Sequence, residues 1–326
     1  MSRLTVRRES WPLRERFTIS RGSKTAAEVV VAEIEDDDRH GRGECVPYAR
    51  YGESLDGVVE ALEGLQAAVA DGLDRDGLQR ALPPGAARNA LDCAFWDLEA
   101  KRAGERAYAL AGMEEPGPAV TAYTLSLGSP EEMASAARTQ RHRPLLKLKL
   151  GGDGDLERVA AVRDGAPDAR LIVDANEAWT PDMARDWPPR LAELGVELIE
   201  QPLPASDDSA LAGLDPAVPF CADESCHDRT GLDALADRYD YINIKLDKTG
   251  GLTEALALAS AARAAGFGVF VGCMVGTSLA MAPAMLVATR ADYVDLDGPL
   301  LLADDRDPPL RYTDGRLHPP TPELWG

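Results

Sequence analysis

From residue 119 onward the chain repeats one pattern: a short apolar run ending in polar residues, then an alanine-rich stretch with spaced apolar positions. The runs fall at 119–127, 145–150, 170–174, 196–200, 220–223, 241–246, 268–272 and 293–297. Between them lie segments such as 156–166 (LERVAAVRDGA) and 252–266 (LTEALALASAARAAG), long enough for helices and carrying glycine near their ends. Eight strands with crossover helices predict an α/β fold of the (β/α) barrel type over 119–304. An open doubly wound sheet is the alternative. It calls for a glycine-rich dinucleotide loop after the first strand, and the sequence has none there.

The first 118 residues read differently. Residues 29–34 alternate loosely and predict a strand, with 4–11 pairing to it as a hairpin or meander. Residues 55–73 and 86–103 predict helices, the second placing Asp92 and Trp96 four residues apart on one face. Strands followed by helices make an α+β module preceding the barrel. The proline-rich tail, 305–326, has too few apolar residues to pack alone and is expected to return onto that module.

Composition narrows the function classes. A formal charge of −20 opposes a nucleic-acid partner. No run of eighteen apolar residues suggests a membrane span, and the first residues lack the apolar stretch of a signal peptide. Five scattered cysteines, at 45, 93, 221, 226 and 273, form no C-x-x-C pair and predict reduced thiols in a cytoplasmic protein. The acidic, lysine-poor surface fits salt adaptation or arginine-rich codon usage equally.

The lysines change the picture. Of 35 basic residues only six are lysine, and four of these cluster as Lys147-Leu-Lys149 and Lys245-Leu-Asp-Lys248. Arginine stays protonated, whereas a lysine amine can act as a base once its surroundings lower its pKa. Between the clusters three strand ends carry Asp174, Glu200 and Asp223, one βα unit apart. In a barrel such residues converge at the C-terminal face. Three carboxylates make an all-oxygen site suited to Mg²⁺, with Mn²⁺ tolerated. Zinc is disfavoured because His40, His142, His227 and His318 have no motif partners. Asn176 and Glu224 fit as groups that orient the ligands, and Lys245 as a neighbour of the ligands or a partner of Glu200 or Asp223. A metal ion beside a carboxylate would stabilise the enediolate left by removing its α-proton. Lysines from the second and sixth strands, Lys149 and Lys248, would stand on opposite faces of that carbon. The ion and the companion lysines are expected to lower the working lysine's pKa.

The motifs Lys147-Leu-Lys149, Asp174-Ala-Asn176, Glu200-Gln-Pro202, Ala222-Asp-Glu-Ser225 and Asn243-Ile-Lys-Leu-Asp-Lys-Thr-Gly-Gly251 together resemble the enolase superfamily, muconate lactonizing enzyme subgroup. Arg21-Gly-Ser23, Gly43-Glu-Cys-Val-Pro-Tyr48, Arg50-Tyr-Gly-Glu-Ser54, Ala87-Arg-Asn-Ala-Leu-Asp92 and Asp295-Leu-Asp297 are similar to the dipeptide epimerases. The resemblance implies a modified TIM barrel of (β/α)7β type with an α+β capping domain built from 1–118 and the tail 305–326. It implies one Mg²⁺ on Asp174, Glu200 and Asp223, with Lys149 and Lys248 as acid/base pair. By the same resemblance Lys147 neutralises the substrate carboxylate, Asp295 and Asp297 hold a dipeptide's α-ammonium, and Arg21 meets a glutamate side chain. The implied substrate is L-Ala-D/L-Glu, and the oligomeric state stays open.

An N-acylamino acid racemase, an o-succinylbenzoate synthase or a cycloisomerase of the same subgroup would share the carboxylates and lysines but not need the two aspartates. A non-catalytic barrel binding a small acidic ligand would have little use for opposed lysines. The segment Gly151-Gly-Asp-Gly-Asp155 has no assigned effect on the pocket, and Met274, in the loop 272–277, reads equally as packing or as a substrate contact.

Overall fold

A computed structural model describes residues 2–326. Its centre is an eight-stranded, all-parallel sheet in sequence order: Tyr123–Leu125, Leu145–Lys149, Arg170–Asp174, Val196–Glu200, Phe220–Ala222, Tyr241–Ile244, Gly268–Val271 and Tyr293–Val294. The two ends of the sheet meet where the Ala122 amide donates to the Val294 carbonyl at 2.8 Å. The strands are numbered one to eight in that order below.

Alternation along these strands builds the interior in layers. Ala122, Leu145, Ile172, Leu198, Cys221 and Phe270 pack as one buried cluster. Two residues further along strands two to five the inward positions turn polar, giving Lys147, Asp174, Glu200 and Asp223. The apolar layer keeps water from that side, so the charged groups face one another and the cavity beyond.

Helices cover the outside, chiefly Pro130–Gln140, Asp155–Gly165, Leu252–Ala264 and Ser278–Ala288. The crossovers after strands four and five contain only the 3₁₀ turns Ser209–Leu211 and Arg229–Ala234. Those segments carry Pro202, Pro204, Gly213, Pro216 and Pro219, then Gly231, which interrupt α-helix. The run 119–127 also divides. Ala119–Val120 pairs with the tail hairpin Tyr312–Thr313 and Arg316–Leu317, and only Tyr123–Leu125 joins the barrel sheet.

The preceding module is a three-stranded antiparallel meander, Arg3–Ile19, Gly22–Asp36 and Arg39–Cys45. Its central strand alternates loosely because both faces are covered. Val30, Ala32 and Ile34 pack with the helix Ala86–Ala103, while Ala27, Val29 and Val31 pack into the larger core shared with the barrel. Glycines let that helix approach the third strand: a Cβ at Gly41 would lie 2.2 Å from the Ala94 carbonyl, and one at Gly43 would lie 2.1 Å from that of Ala90. On the shared helix face, Asp92 and Trp96 meet the same barrel residue. Asp92 accepts from the Thr253 amide at 2.9 Å, and the Trp96 indole donates to Thr253 Oγ1 at 2.9 Å. The chain end lies on the same helix, the Trp325 indole donating to the Cys93 carbonyl at 3.0 Å and the Gly326 amide to Asp97 at 2.7 Å. No helix of the described residues is long and apolar enough to cross a membrane.

Candidate active site

Asp174, Glu200 and Asp223 stand at or just past the ends of strands three, four and five, each almost fully buried, and one carboxylate oxygen from each lies within 4.8 Å of the others. Burying three carboxylates together is costly unless cations compensate. Lysines supply part of that compensation. Lys147 Nζ lies 2.6 Å from Glu200 and 3.5 Å from Asp174, Lys149 Nζ 2.5 Å from Asp174, and Lys245 Nζ 2.6 Å from Asp223. Burial and the neighbouring Asp174 still push Glu200 up to about 7. Burial raises Asp223 too, but Lys245 and Lys248 outweigh it and hold its carboxyl well below the usual range. Glu200 Oε2 is buried and has only the Lys147 ammonium beside it, and the donor set is all oxygen. A hard divalent cation fits these residues.

A cavity of about 250 Å³ opens over this cluster, lined on the barrel side by Lys147, Lys149, Asp223 and Lys245 and on the capping side by Arg21 and Lys24 among others. Strands two and six are four apart in the eight-stranded order, so Lys149 and Lys245 approach from opposite walls.

This corrects the expectation for Lys248. It lies inside the short helix Leu246–Thr249 rather than on the strand end, and its side chain is fully buried and absent from the cavity wall. Its ammonium donates to Asp223 Oδ1 at 2.7 Å, to the Asn243 carbonyl at 2.9 Å and to the Asp223 carbonyl, which uses all three N–H groups. Lys245 continues the inward alternation of Asn243 and occupies the position expected of Lys248. Beside the carboxylates alone, the pKa of Lys245 shifts upward. Burial lowers it, but Asp223 and Glu200 more than reverse this and raise it well above the ordinary value, as Asp295 and Glu200 do for Lys147.

Past strand eight, Asp295 pairs with Lys147 at 2.9 Å, while Asp297 accepts from the Thr124 amide at 2.6 Å. Burial and the nearby Asp295 push Asp297 up to about 7. Both line the cavity.

Arg21 also lines the cavity, but its guanidinium is committed. It donates to the Asn176 carbonyl at 3.0 Å, Glu177 at 3.1 Å, Tyr48 Oη at 3.1 Å and Glu224 at 2.6 Å. Lys24, which sequence reasoning passed over, lines the same cavity with no salt bridge among the described residues. Burial and the nearby Lys149 lower its pKa. Its signal in the sequence was rarity, as one of six lysines.

Asn176 holds Asp174 through its amide at 2.9 Å and its side-chain nitrogen at 3.1 Å, whereas Glu224 meets Arg21 rather than a ligand. Asn243 donates to Glu200 at 2.7 Å, a further orienting contact that the sequence did not single out. Met274 and Cys273 line the cavity from a loop whose far end is tied down by Glu44, which accepts from the Thr277 amide at 2.8 Å and pairs with Arg306 at 2.6 Å. The glycine-rich segment after strand two is structural. Buried Asp155 accepts from the Gly152 amide at 2.8 Å and the Trp179 indole at 2.8 Å, which closes the turn away from the cavity wall. His227 packs edge-on against Tyr51.

Comparison with known proteins agrees with this geometry. Residues 1–112 match the mandelate racemase / muconate lactonizing enzyme N-terminal domain family, and residues 131–323 match the enolase C-terminal domain-like family. The chain is 49% identical to the L-Ala-D/L-Glu epimerase of Escherichia coli (strain K12), covering 98% of this chain and 100% of that one. It is 44% identical to an N-acetyl-D-glutamate racemase of a Pseudoalteromonas species, covering 91% and 95%. Among solved structures, an enolase family member from Agrobacterium tumefaciens with bound sodium and L-Ala-L-Glu superposes with a TM-score of 0.98 at 52% identity, over 100% of both chains.

Proposed function

Since the chain belongs to the mandelate racemase/muconate lactonizing enzyme subgroup of the enolase superfamily, we propose that it is a Mg²⁺-dependent dipeptide epimerase that inverts the glutamate α-carbon of L-Ala-D/L-Glu. The observation that carries the reading is the pair Lys149 and Lys245, on opposed walls of one cavity, above three buried carboxylates.

Asp174, Glu200 and Asp223 would hold the cation. When bound, it supplies positive charge against the substrate carboxylate, whose charge rises as the α-proton leaves. The other work belongs to side chains. Lys147, buried among Asp174, Glu200 and Asp295, adds fixed positive charge at the floor of the cavity. Lys149 and Lys245 face the α-carbon from its two sides, so one takes the proton from one epimer and the other delivers a proton to the opposite face. Asp295 and Asp297 receive the α-ammonium, Asp297 being the one without a lysine partner. Lys24, without a salt bridge among the described residues, offers a cation for the glutamate side chain, with Arg21 neutralised by Glu177 and Glu224 beside it. Lys248 supports Asp223 from behind. Five free cysteines are in keeping with a reducing, cytoplasmic setting.

The similarity to an N-acetyl-D-glutamate racemase sustains a second reading, in which the substrate is an N-acylated glutamate. Two carboxylates at the expected amine position speak against it. The deciding experiment measures deuterium incorporation at the α-carbon, in heavy water with Mg²⁺, for L-Ala-L-Glu, N-acetyl-L-Glu and a panel of other dipeptides. Fastest exchange in Ala-Glu supports the epimerase. Exchange confined to N-acyl substrates replaces it with the racemase, and no exchange in any compound removes both.

A further inference from the structure

Directly after the metal-site residue Asp174, the chain makes an unusual turn. Asn176 and Glu177 both adopt left-handed backbone conformations, with φ of 45° and 67°. Two successive non-glycine residues hold such a conformation only where their surroundings compel it. Here the compulsion comes from two directions. Toward the barrel, the Asn176 amide and side-chain nitrogen grip the two Asp174 oxygens, and the Glu177 amide donates to the Gln201 carbonyl at 2.9 Å. Toward the cap, the Asn176 carbonyl accepts from Ser20 Oγ at 2.9 Å and from Arg21 at 3.0 Å.

The Glu177 carboxylate completes the connection. It lies 3.1 Å from Arg21 and takes a forked pair from Arg50, at 2.9 and 2.7 Å, while the Ala205 amide holds it from the barrel side. Arg21 belongs to the turn between the first two capping strands and Arg50 to the 3₁₀ turn Ala49–Tyr51. Both capping loops that carry cavity-lining residues, Arg21 and Tyr51 among them, therefore close onto one dipeptide. Glu177 itself does not line the cavity. Its side chain is only 8% exposed, so its pairs with Arg21 and Arg50 are shielded from water better than surface pairs.

We propose that Asn176–Glu177 couples docking of the two capping loops to cation affinity at Asp174, Glu200 and Asp223, with Glu177 as the positioning residue. This rests on the metal site described above. With the loops docked, the left-handed turn is maintained and Asn176 presents both its donors to Asp174. With the loops released, the turn loses its capping-side partners, and Asp174 loses the orientation they enforce. Coupling of this kind is reciprocal: whatever the docked loops do for cation binding, the cation does for loop docking.

The test uses Glu177→Gln, which keeps an acceptor for the Ala205 amide and removes the charge that holds both arginines. Titration calorimetry with Mg²⁺ alone gives affinity. Hydrogen exchange of residues 18–24 and 47–53, with and without Mg²⁺, gives loop docking. In the wild type Mg²⁺ is expected to slow exchange in both loops. In Glu177→Gln the affinity is expected to fall by about 5-fold or more, and the Mg²⁺-dependent protection to disappear. Arg50→Gln, altered on the capping side and bonded to Glu177 rather than to any of the three carboxylates, is expected to give the same two losses, and it serves alone where Glu177→Gln does not fold. A merely structural role would lower the melting temperature and leave the Mg²⁺ dependence intact. Wild-type Mg²⁺ affinity in both folded variants, or loop exchange in the wild type that ignores Mg²⁺, overturns the coupling alone. A wild type that binds no Mg²⁺ overturns the metal site and the coupling together.

Discussion

Lys245 and Lys248 converge on one carboxylate, 2.6 Å from Asp223 Oδ2 and 2.7 Å from Oδ1, yet only Lys245 reaches the cavity. Their variants should therefore fail differently. Lys245→Ala should abolish α-deuteration starting from one epimer of Ala-Glu more than from the other, and Lys149→Ala should show the opposite bias. Lys248→Ala should depress exchange from both epimers alike, because it acts only through the position of Asp223. Single-turnover exchange from L-Ala-L-Glu and L-Ala-D-Glu measures this. A one-sided defect in Lys248→Ala with a symmetric defect in Lys245→Ala would restore Lys248 as the base.

The confusion of these two lysines marks where the sequence stops being legible. Five of the eight strand runs end at the observed last residue or one beyond it, because a buried parallel strand reads as an apolar run with a polar end. Asp174, Glu200 and Asp223 could be read from spacing alone. The sixth apolar run continues to residue 246, past the turn at Lys245 where the strand gives way to a helix. Strict alternation from inward Asn243 would have favoured Lys245. The partners of Arg21 were beyond reach for another reason: Glu177 and Glu224 lie 156 and 203 residues away, and only folding brings them together. The missing α-helices after strands four and five were foreshadowed by prolines and glycines that the repeat pattern overshadowed.

The cation requirement follows from the donor set. Excess chelator should abolish exchange and added Mg²⁺ should restore it. Asp223→Asn should lose more than roughly 100-fold in kcat/KM, beyond the loss usual for groups that merely support a ligand. Part of that loss should persist at saturating Mg²⁺, since Lys245 and Lys248 lose their anchor as well. Full turnover in chelator, with metal content measured as zero, would remove Asp174, Glu200 and Asp223 from the mechanism.

Lys24 and Arg21 separate recognition from architecture. Lys24 has no salt bridge among the described residues, so Lys24→Ala should raise KM for Ala-Glu with little effect on Ala-Gln. A charge-assisted contact of about 1.5–3 kcal/mol corresponds to roughly 10- to 100-fold in kcat/KM. Arg21→Ala should instead impair both substrates similarly, because its guanidinium already serves Glu177, Glu224, Tyr48 and the Asn176 carbonyl. Steady-state kinetics on the two dipeptides decides the matter. Selective loss of Ala-Glu activity in Arg21→Ala alone would return the side-chain contact to Arg21.

The ammonium site should show in the pH profile. Asp297 is held at about 7 by burial and by Asp295. Above that pH it is anionic and attracts a cation, and below it the proton cancels its charge. A dipeptide α-amino group loses its own charge near 8. The kcat/KM for Ala-Glu should thus peak between about 7 and 8 and fall on both sides. Asp297→Asn should flatten the acidic limb while lowering the maximum. An acidic limb unchanged in Asp297→Asn would assign that titration to another group.

Asp247 gives the last prediction, on stability. It is buried between cap and barrel, accepting from the Val46 amide at 3.0 Å and Asn89 at 2.8 Å. Burial outweighs these donors and, with Glu53 and Glu44 nearby, pushes it up to about 7 from an ordinary value of 3.8. The folded state therefore holds this proton through a pH range where the unfolded chain has released it. Stability from this group is fully present below about pH 4 and is lost as pH rises through 7. The full loss is on the order of 1–4 kcal/mol. Asp247→Asn keeps an acceptor for both donors and has no charge to bury. Its melting temperature should gain on the wild type as pH rises from 5 to 8, while the two lie closer together at the acidic end. A difference that stays constant across that range would mean that Asp247 is already ionised at pH 5, and that the two donors outweigh burial.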